Sequence, residues 1–253
     1  QWVTQLGDTT KPDGGDTSGY DSCNGVAVDS AGNIYCAGKT KSGIAETNGG
    51  DFDAFVMKLN SSGDLQWVTQ LGSDSSNDSS LTINSLKNDY CVDIAIDNLG
   101  NIVCAGYTDG DLLRTNEGGD AFFLKLNPSG NIMWINHISG TENIDSSSKD
   151  YCYSIDIDTY GDIYCAGETK SNFGEAHGGG GDVFVMKLSS EGDIKWITQM
   201  GSDESNDKPA TINSTSLDQC LSVDVDNLGN IYCAGTSYGH FSGYNAGYND
   251  III

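Results

Sequence analysis

The sequence has little positive charge, few prolines and histidines, and no long apolar run. Twelve Lys and Arg stand against 36 Asp and Glu, a formal charge of −24. Nucleic-acid binding needs clustered basic side chains that release counterions from phosphates, so that class is excluded, and a basic membrane-surface patch falls with it. No stretch approaches the ~20 apolar residues needed to span a bilayer; near the C-terminus the run is only Ile251 to Ile253. The three histidines, His137, His177 and His240, occupy non-equivalent places. With no H-E-x-x-H, G-x-S-x-G or G-x-x-x-x-G-K-[ST] pattern, a metal triad, a Ser–His pair and a phosphate loop have no sequence support. Only three prolines occur, whereas glycine reaches 33 of 253 residues, near twice its usual ~7%. So much glycine points to many tight turns and therefore to many short strands.

Internal repetition organises those strands. Trp2, Trp67, Trp134 and Trp196 each sit in a variant of one segment: QWVTQLG twice, then MWINHIS and KWITQMG. Three further segments recur between them: CNGVAVD, CVDIAID, CYSIDID and CLSVDVD; NIYCAGKT, NIVCAGYT, DIYCAGET and NIYCAGTS; DAFVMKL, DAFFLKL, DVFVMKL and a shortened NDIII. Each is rich in β-branched and aromatic residues and bounded by Gly, Asn, Asp or Ser, the pattern of a strand. Fixed glycines at Gly32, Gly100, Gly161 and Gly229 mark a tight turn between the first and second strands of each repeat. The order strand, tight turn, strand, longer loop, strand, tight turn, strand predicts an antiparallel four-stranded meander, one blade of a propeller. The predicted fold is all-β, a β-propeller of four such blades in one domain, with repeats at about 20–72, 88–138, 149–201 and 217–253 plus 1–7.

The runs DSAGNIYCAGKT and GGDFDAFVMKLNSSGDLQWVTQLG resemble the bacterial beta-propeller repeat, the SBBP repeat, and the resemblance extends over four copies and nearly the whole chain. It implies a propeller in an extracytoplasmic setting and implies no reaction. Two departures are a Cys before each Ala-Gly, where an apolar residue is usual, and a long Ser/Asn/Asp-rich loop ahead of each repeat.

The chain starts on a Trp strand and stops inside the third strand of its fourth repeat. Residues 1–7 are therefore expected to close the last blade as its fourth strand, removing an open edge. The rival readings are a piece of a longer propeller, because Gln1 is not an initiator Met, and two chains sharing an eight-bladed ring.

Eight cysteines fall in four pairs, each 13 apart: Cys23/Cys36, Cys91/Cys104, Cys152/Cys165 and Cys220/Cys233. An even, regular set reads as a disulfide framework, with one bridge inside each blade as the first expectation. A simple short hairpin would place Cys36 opposite Val26, so a bridge to Cys23 requires a bulge. Bridges between blades and buried free thiols are the alternatives. Disulfides imply an extracellular, cell-surface or periplasmic location. The sequons at Asn60, Asn77 and Asn213 are glycan sites only in a suitable host.

Carboxylates recur in register. Asp29, Asp97, Asp158 and Asp226 end the first strand of each blade, and Asp53, Asp120, Asp182 and Asp250 open the third. They read either as hard oxygen ligands for Ca2+ or as turn-capping side chains. Asp156 and Asp224 stand at equivalent places where the other blades have Ala27 and Ala95. They are expected to face a cation or water in an axial channel, or simply to line it. The fourth repeat adds Tyr238, Phe241, Tyr244 and Tyr248 in a polar loop, suited to stacking on a sugar, docking a partner or packing the blade edge.

The expected function is a non-enzymatic extracellular structural or interaction module of the surface-assembly or adhesion type. Its expected partner is a protein or glycan at the cell surface, or another copy of itself. A carbohydrate-binding lectin is the alternative and a glycan-active hydrolase or lyase the third reading; Ca2+ is the one cofactor with any sequence support.

Overall fold

The computed structural model describes residues 2–4, 20–45, 51–72, 88–109, 119–138, 140, 149–173, 179–201, 214–239 and 250–252. Fifteen strands are assigned among them. The first sheet is β1 (Asp21–Val28), β2 (Ile34–Thr40), β3 (Asp53–Leu59) and β4 (Leu65–Leu71), paired in sequence order, and the second repeats it with β5 (Asp89–Ile96), β6 (Ile102–Thr108), β7 (Asp120–Leu126) and β8 (Ile132–Ile138). The third comprises β9 (Asp150–Ile157), β10 (Ile163–Thr169), β11 (Gly179–Leu188) and β12 (Ile194–Met200). Its strand β11 also pairs in parallel with β13 (Ser214–Val225), which leads the fourth sheet with β14 (Ile231–Ser237) and β15 (Asp250–Ile252). The expected strand order is thus borne out. Residues 5–7, most of the strand expected to close the fourth blade, lie outside the described residues.

Burial explains the sequence pattern. Every residue of β7 and β10 is buried, so these middle strands, covered on both faces, read as near-continuous apolar runs rather than alternating ones. The chain forms two compact units, one of Gln1–Asn116 with Phe122–His137 and the other of Glu117–Ala121 with Ile138–Ile253. In the first unit, Tyr35, Val56, Leu71, Ile94, Ile102, Phe122 and Leu124 form one apolar cluster across two sheets. In the second, Ala166, Val183, Val185, Cys220 and Val223 do the same.

The bulge that the cysteines required is present in each blade. Cys23 pairs with Gly38, but the next pair is Gly25 with Ala37, leaving Asn24 as the extra residue; Val92, Tyr153 and Leu221 are its counterparts. The offset brings each first cysteine to the second: all four bridges lie within a blade, with Cα separations of 5.8 Å, 5.8 Å, 6.0 Å and 5.9 Å. The glycine of each C-A-G is the other half of this device. A Cβ on Gly106 would lie 1.8 Å from the Tyr90 carbonyl oxygen, so no larger residue fits without moving backbone. Gly106→Ala is expected to cost about 2–3 kcal/mol as core overpacking, read from the urea midpoint.

Candidate functional site

The repeated polar residues converge on two kinds of place, the hairpin turn at the end of each first strand and the junction between neighbouring blades. At the turn, Asp29 Oδ1 accepts the N–H groups of Ala31 (3.0 Å) and Asn33 (2.8 Å), while Oδ2 accepts the Asn33 amide (2.7 Å) and the Tyr35 hydroxyl (3.1 Å). Asp226 repeats the set with Leu228, Asn230 and Tyr232. Each glycine here has φ near +80°, a conformation that a Cβ disfavours. Both oxygens of the carboxylate are thereby engaged in its own turn. Burial pushes Asp29 up, but the Asn33 hydrogen bonds outweigh it and hold the carboxyl below its usual value; at Asp226 the Asn230 amide does the same.

Two blades vary this turn, and lysines from the third strand compensate. The second blade has Val103 where the others have Tyr, and Lys125 fills the gap with a 3.0 Å ion pair to Asp97, both side chains under 5% exposed. Asn101 completes the Asp97 shell at 2.8 and 2.9 Å. The third blade has Asp162 where Asn is usual. Asp158 accepts Tyr160 and Asp162 N–H groups and the Tyr164 hydroxyl, and Lys187 bridges Asp158 (3.3 Å) and Asp162 (2.8 Å). Lys195 adds a second ion pair to Asp162 at 2.5 Å. Burial raises Asp162, but Lys187 and Lys195 reverse that shift and hold it low. Burial lowers Lys187, but the hydrogen bonds it donates to Asp162, Tyr164 and Asp158 overcome that and hold it above its usual value.

At the junctions, Trp2 and Trp67 each reach the next blade. Trp67 donates its indole N–H to the Pro128 carbonyl (3.3 Å), and Thr69 donates its hydroxyl to the Gly130 carbonyl at 2.6 Å. Trp2 and Thr4 make the same pair of bonds to Ser61 (3.1 Å) and Gly63 (2.6 Å), one repeat earlier. Gly130 has φ +84°, and a Cβ there would stand 2.7 Å from the Trp67 ring. Gly130→Ala is therefore expected to cost about 2–4 kcal/mol, combining backbone strain with displacement of the indole. A lowered thermal midpoint with red-shifted tryptophan emission would register it.

Asp156 and Asp224 do come together. Asp156 Oδ2 accepts the Val225 N–H from β13 at 2.8 Å, Oδ1 accepts the Ile157 N–H at 2.8 Å, and the Asp224 carboxyl lies close enough for the two like charges to interact. Burial raises Asp156, and the adjacent Asp224 adds to the rise. Tyr238 is exposed, with its N–H bonded to the Leu217 carbonyl at 3.2 Å; Phe241, Tyr244 and Tyr248 lie outside the described residues, as do His177, His240, Asn77 and Asn213. The Asn60 side chain caps its own turn through Ser62 and Asp64 N–H groups at 2.9 Å. Among the described residues, no group of three His, Cys, Asp or Glu side chains is arranged to hold a metal ion.

Sequence reasoning missed a second acidic series. Asp21, Asp89 and Asp150 open β1, β5 and β9, Asp218 holds the equivalent place within β13, and each accepts the hydroxyl that ends the second strand, from Thr40, Thr108, Thr169 and Ser237, at 2.5–2.6 Å. Three of them neighbour an Asp at or near the start of a third strand. Asp89 donates its N–H to Phe52 O beside Asp53, Asp150 donates to Gly119 O beside Asp120, and the parallel pair Gly181↔Leu217 sets Asp182 next to Asp218. Gln70 and Gln199 donate to Asp53 and Asp182, each at 2.7 Å. The signal was an Asp always 19 residues ahead of a Thr or Ser.

The sequence pattern of the SBBP beta-propeller repeat matches residues 1–45, 66–114, 140–174 and 195–242, well over half of the chain. Among solved structures, the chain is similar to a protein of unknown function from Bacteroides caccae, at 12% identity and a TM-score of 0.39, over 92% of this chain and 60% of that one. No curated protein matches.

Proposed function

The chain belongs to the SBBP beta-propeller repeat family, and from that premise we propose that it is a non-enzymatic display scaffold working outside the cytoplasm. Its four disulfides point to an oxidising, extracytoplasmic compartment. Among the described residues no helix is long and apolar enough to cross a membrane. The observation that carries the proposal is what the repeated side chains do. The turn aspartates, the Trp–Gly contacts and the bulge cysteines bond to their own blade or to the next. What repeats along the strands is therefore framework, and the segments between blades are less regular: 73–87 and 202–213 share S-D-x-S-N-D and T-I-N, 141–148 has neither, and all three are rich in Asp, Asn and Ser. Varied loops on a rigid scaffold are a common arrangement for recognition. The partner is a protein or glycan at a cell surface, engaged at several loops at once.

The test is binding of the intact oxidised protein to glycan arrays and to cell-surface extracts. Saturable binding is expected, lost when residues 73–87 are exchanged for a Gly/Ser segment of equal length while the thermal midpoint is kept. Multiple-turnover cleavage of a bound glycan would overturn the non-enzymatic reading.

A further inference from the structure

Asp89 has no part in the display role, and its surroundings are unusual. It opens β5 at the junction of the first two blades and is fully buried. The parallel bridge Phe52↔Asn88 and the 2.9 Å bond from Asp89 N–H to Phe52 O set Asp53 directly beside it. Its Oδ1 accepts the Thr108 hydroxyl at 2.5 Å, whereas Oδ2 has no hydrogen-bond partner. The equivalent Asp150 of the third blade is better served: Ser171 donates to its Oδ2 at 3.0 Å, and the backbone of Gly140 and Lys170 adds more. In the second blade the sequence has Gly110 where Ser171 stands, and glycine brings no hydroxyl.

The charges around Asp89 are of its own sign. Asp53 faces it from β3 and Asp109 from just past β6. Two lysines of β2 and its following turn come near but serve aromatic rings. Lys39 lies 4.7 Å from the Phe52 ring centre and 4.2 Å from that of Tyr90, while Lys41 stands over Phe52 at 4.5 Å and pairs with Asp51 at 2.6 Å.

We infer that Asp89 and Asp53 form a proton-controlled latch between the first two blades: a proton on Asp89 keeps the junction closed, and its release places two carboxylates side by side in a buried site and loosens it. Burial first, then the charges of Asp53 and Asp109, push Asp89 up to about 7 against the Thr108 hydrogen bond. The folded value lies above the unfolded 3.8, so the stabilisation is complete below the unfolded value, declines as pH rises, and is gone once pH passes through about 7. Within that window one extra proton on the folded state means up to a tenfold rise in the unfolding constant per pH unit.

The experiment is urea unfolding of the full oxidised chain from about pH 5 to about pH 9, at low and high salt. Repulsion among exposed carboxylates also weakens an acidic protein at high pH, but salt screens it, whereas a buried pair is screened far less. The expected result is a fall in stability up to about pH 7 that survives high salt. In Asp89→Asn the slope is smaller by one proton, and in Asp109→Asn, which removes one like charge, levelling occurs at lower pH. The latch is overturned if Asp89→Asn keeps the wild-type slope, if high salt abolishes the fall, or if millimolar Ca2+ abolishes it, since a cation rather than a proton would then neutralise the pair. Should Asp89→Asn not fold, Asp109→Asn decides alone, and an unmoved levelling point overturns the latch.

Discussion

Full reduction of the disulfides is expected to unfold the protein at room temperature. Each bridge closes a loop of cysteines 13 apart, which restricts the unfolded chain by about 3 kcal/mol. Four such loops together reach about 12 kcal/mol, the scale of a whole domain's stability. The bridges also clamp the bulges at Asn24, Val92, Tyr153 and Leu221, where the register changes and the ladder hydrogen bonds are interrupted. Removing only the central bridge, as Cys91→Ala with Cys104→Ala, is expected to cost about 3 kcal/mol from the loop alone, with a further loss because both sulfurs are fully buried and leave cavities. Circular dichroism before and after reduction, with alkylation to count thiols, reads the effect. Retention of a cooperative thermal transition with eight alkylated cysteines would show that packing alone holds the blades.

The second large effect is expected at Lys125. Its ammonium and the Asp97 carboxylate are 3.0 Å apart and almost wholly removed from water. Removing one partner strands the other charge, and Lys125→Ala is accordingly expected to cost about 3–5 kcal/mol in urea unfolding. The double change Lys125→Met with Asp97→Asn removes both charges and should recover most of that loss. Lys187→Ala is expected to be milder, because Lys187 is 18% exposed and Lys195 remains on Asp162. Burial raises Asp97 but the hydrogen bonds of Asn101 and Lys125 more than reverse it, leaving the carboxyl below its usual 3.8. The pair's stabilisation is thus present above the unfolded value and is lost as pH falls through the lower folded one.

Much of this was legible in the sequence, for identifiable reasons. Strand order could be read because each strand carries its own β-branched and aromatic run between turn residues, and four copies average out local accidents. The fixed glycine of D-x-x-G-N identified a turn because the backbone there needs φ near +80°, and the capping reading of Asp29, Asp97, Asp158 and Asp226 follows from residues two to six positions away. The cysteine spacing even required the bulge that is found. What was not legible depends on neighbours distant in sequence. Nothing near Trp67 says that its ring lies on Gly130, 63 positions on. Nor does Asp89 by itself announce Asp53, because the bridge Phe52↔Asn88 joins residues with all of β3 and β4 between them. Lys125 was hidden differently: its burial follows from Val103, whose missing hydroxyl matters only once β6 and β7 are paired.

Disulfide mapping of the non-reduced protein tests the repeat architecture most directly. Cleavage on the N-terminal side of Asp separates the two cysteines of every pair, through Asp29, Asp97, Asp158 and Asp226. Four linked peptide pairs are expected, Cys23–Cys36, Cys91–Cys104, Cys152–Cys165 and Cys220–Cys233. A peptide joining cysteines of two different blades, such as Cys36 with Cys91, would contradict the bulged blade and everything built on it.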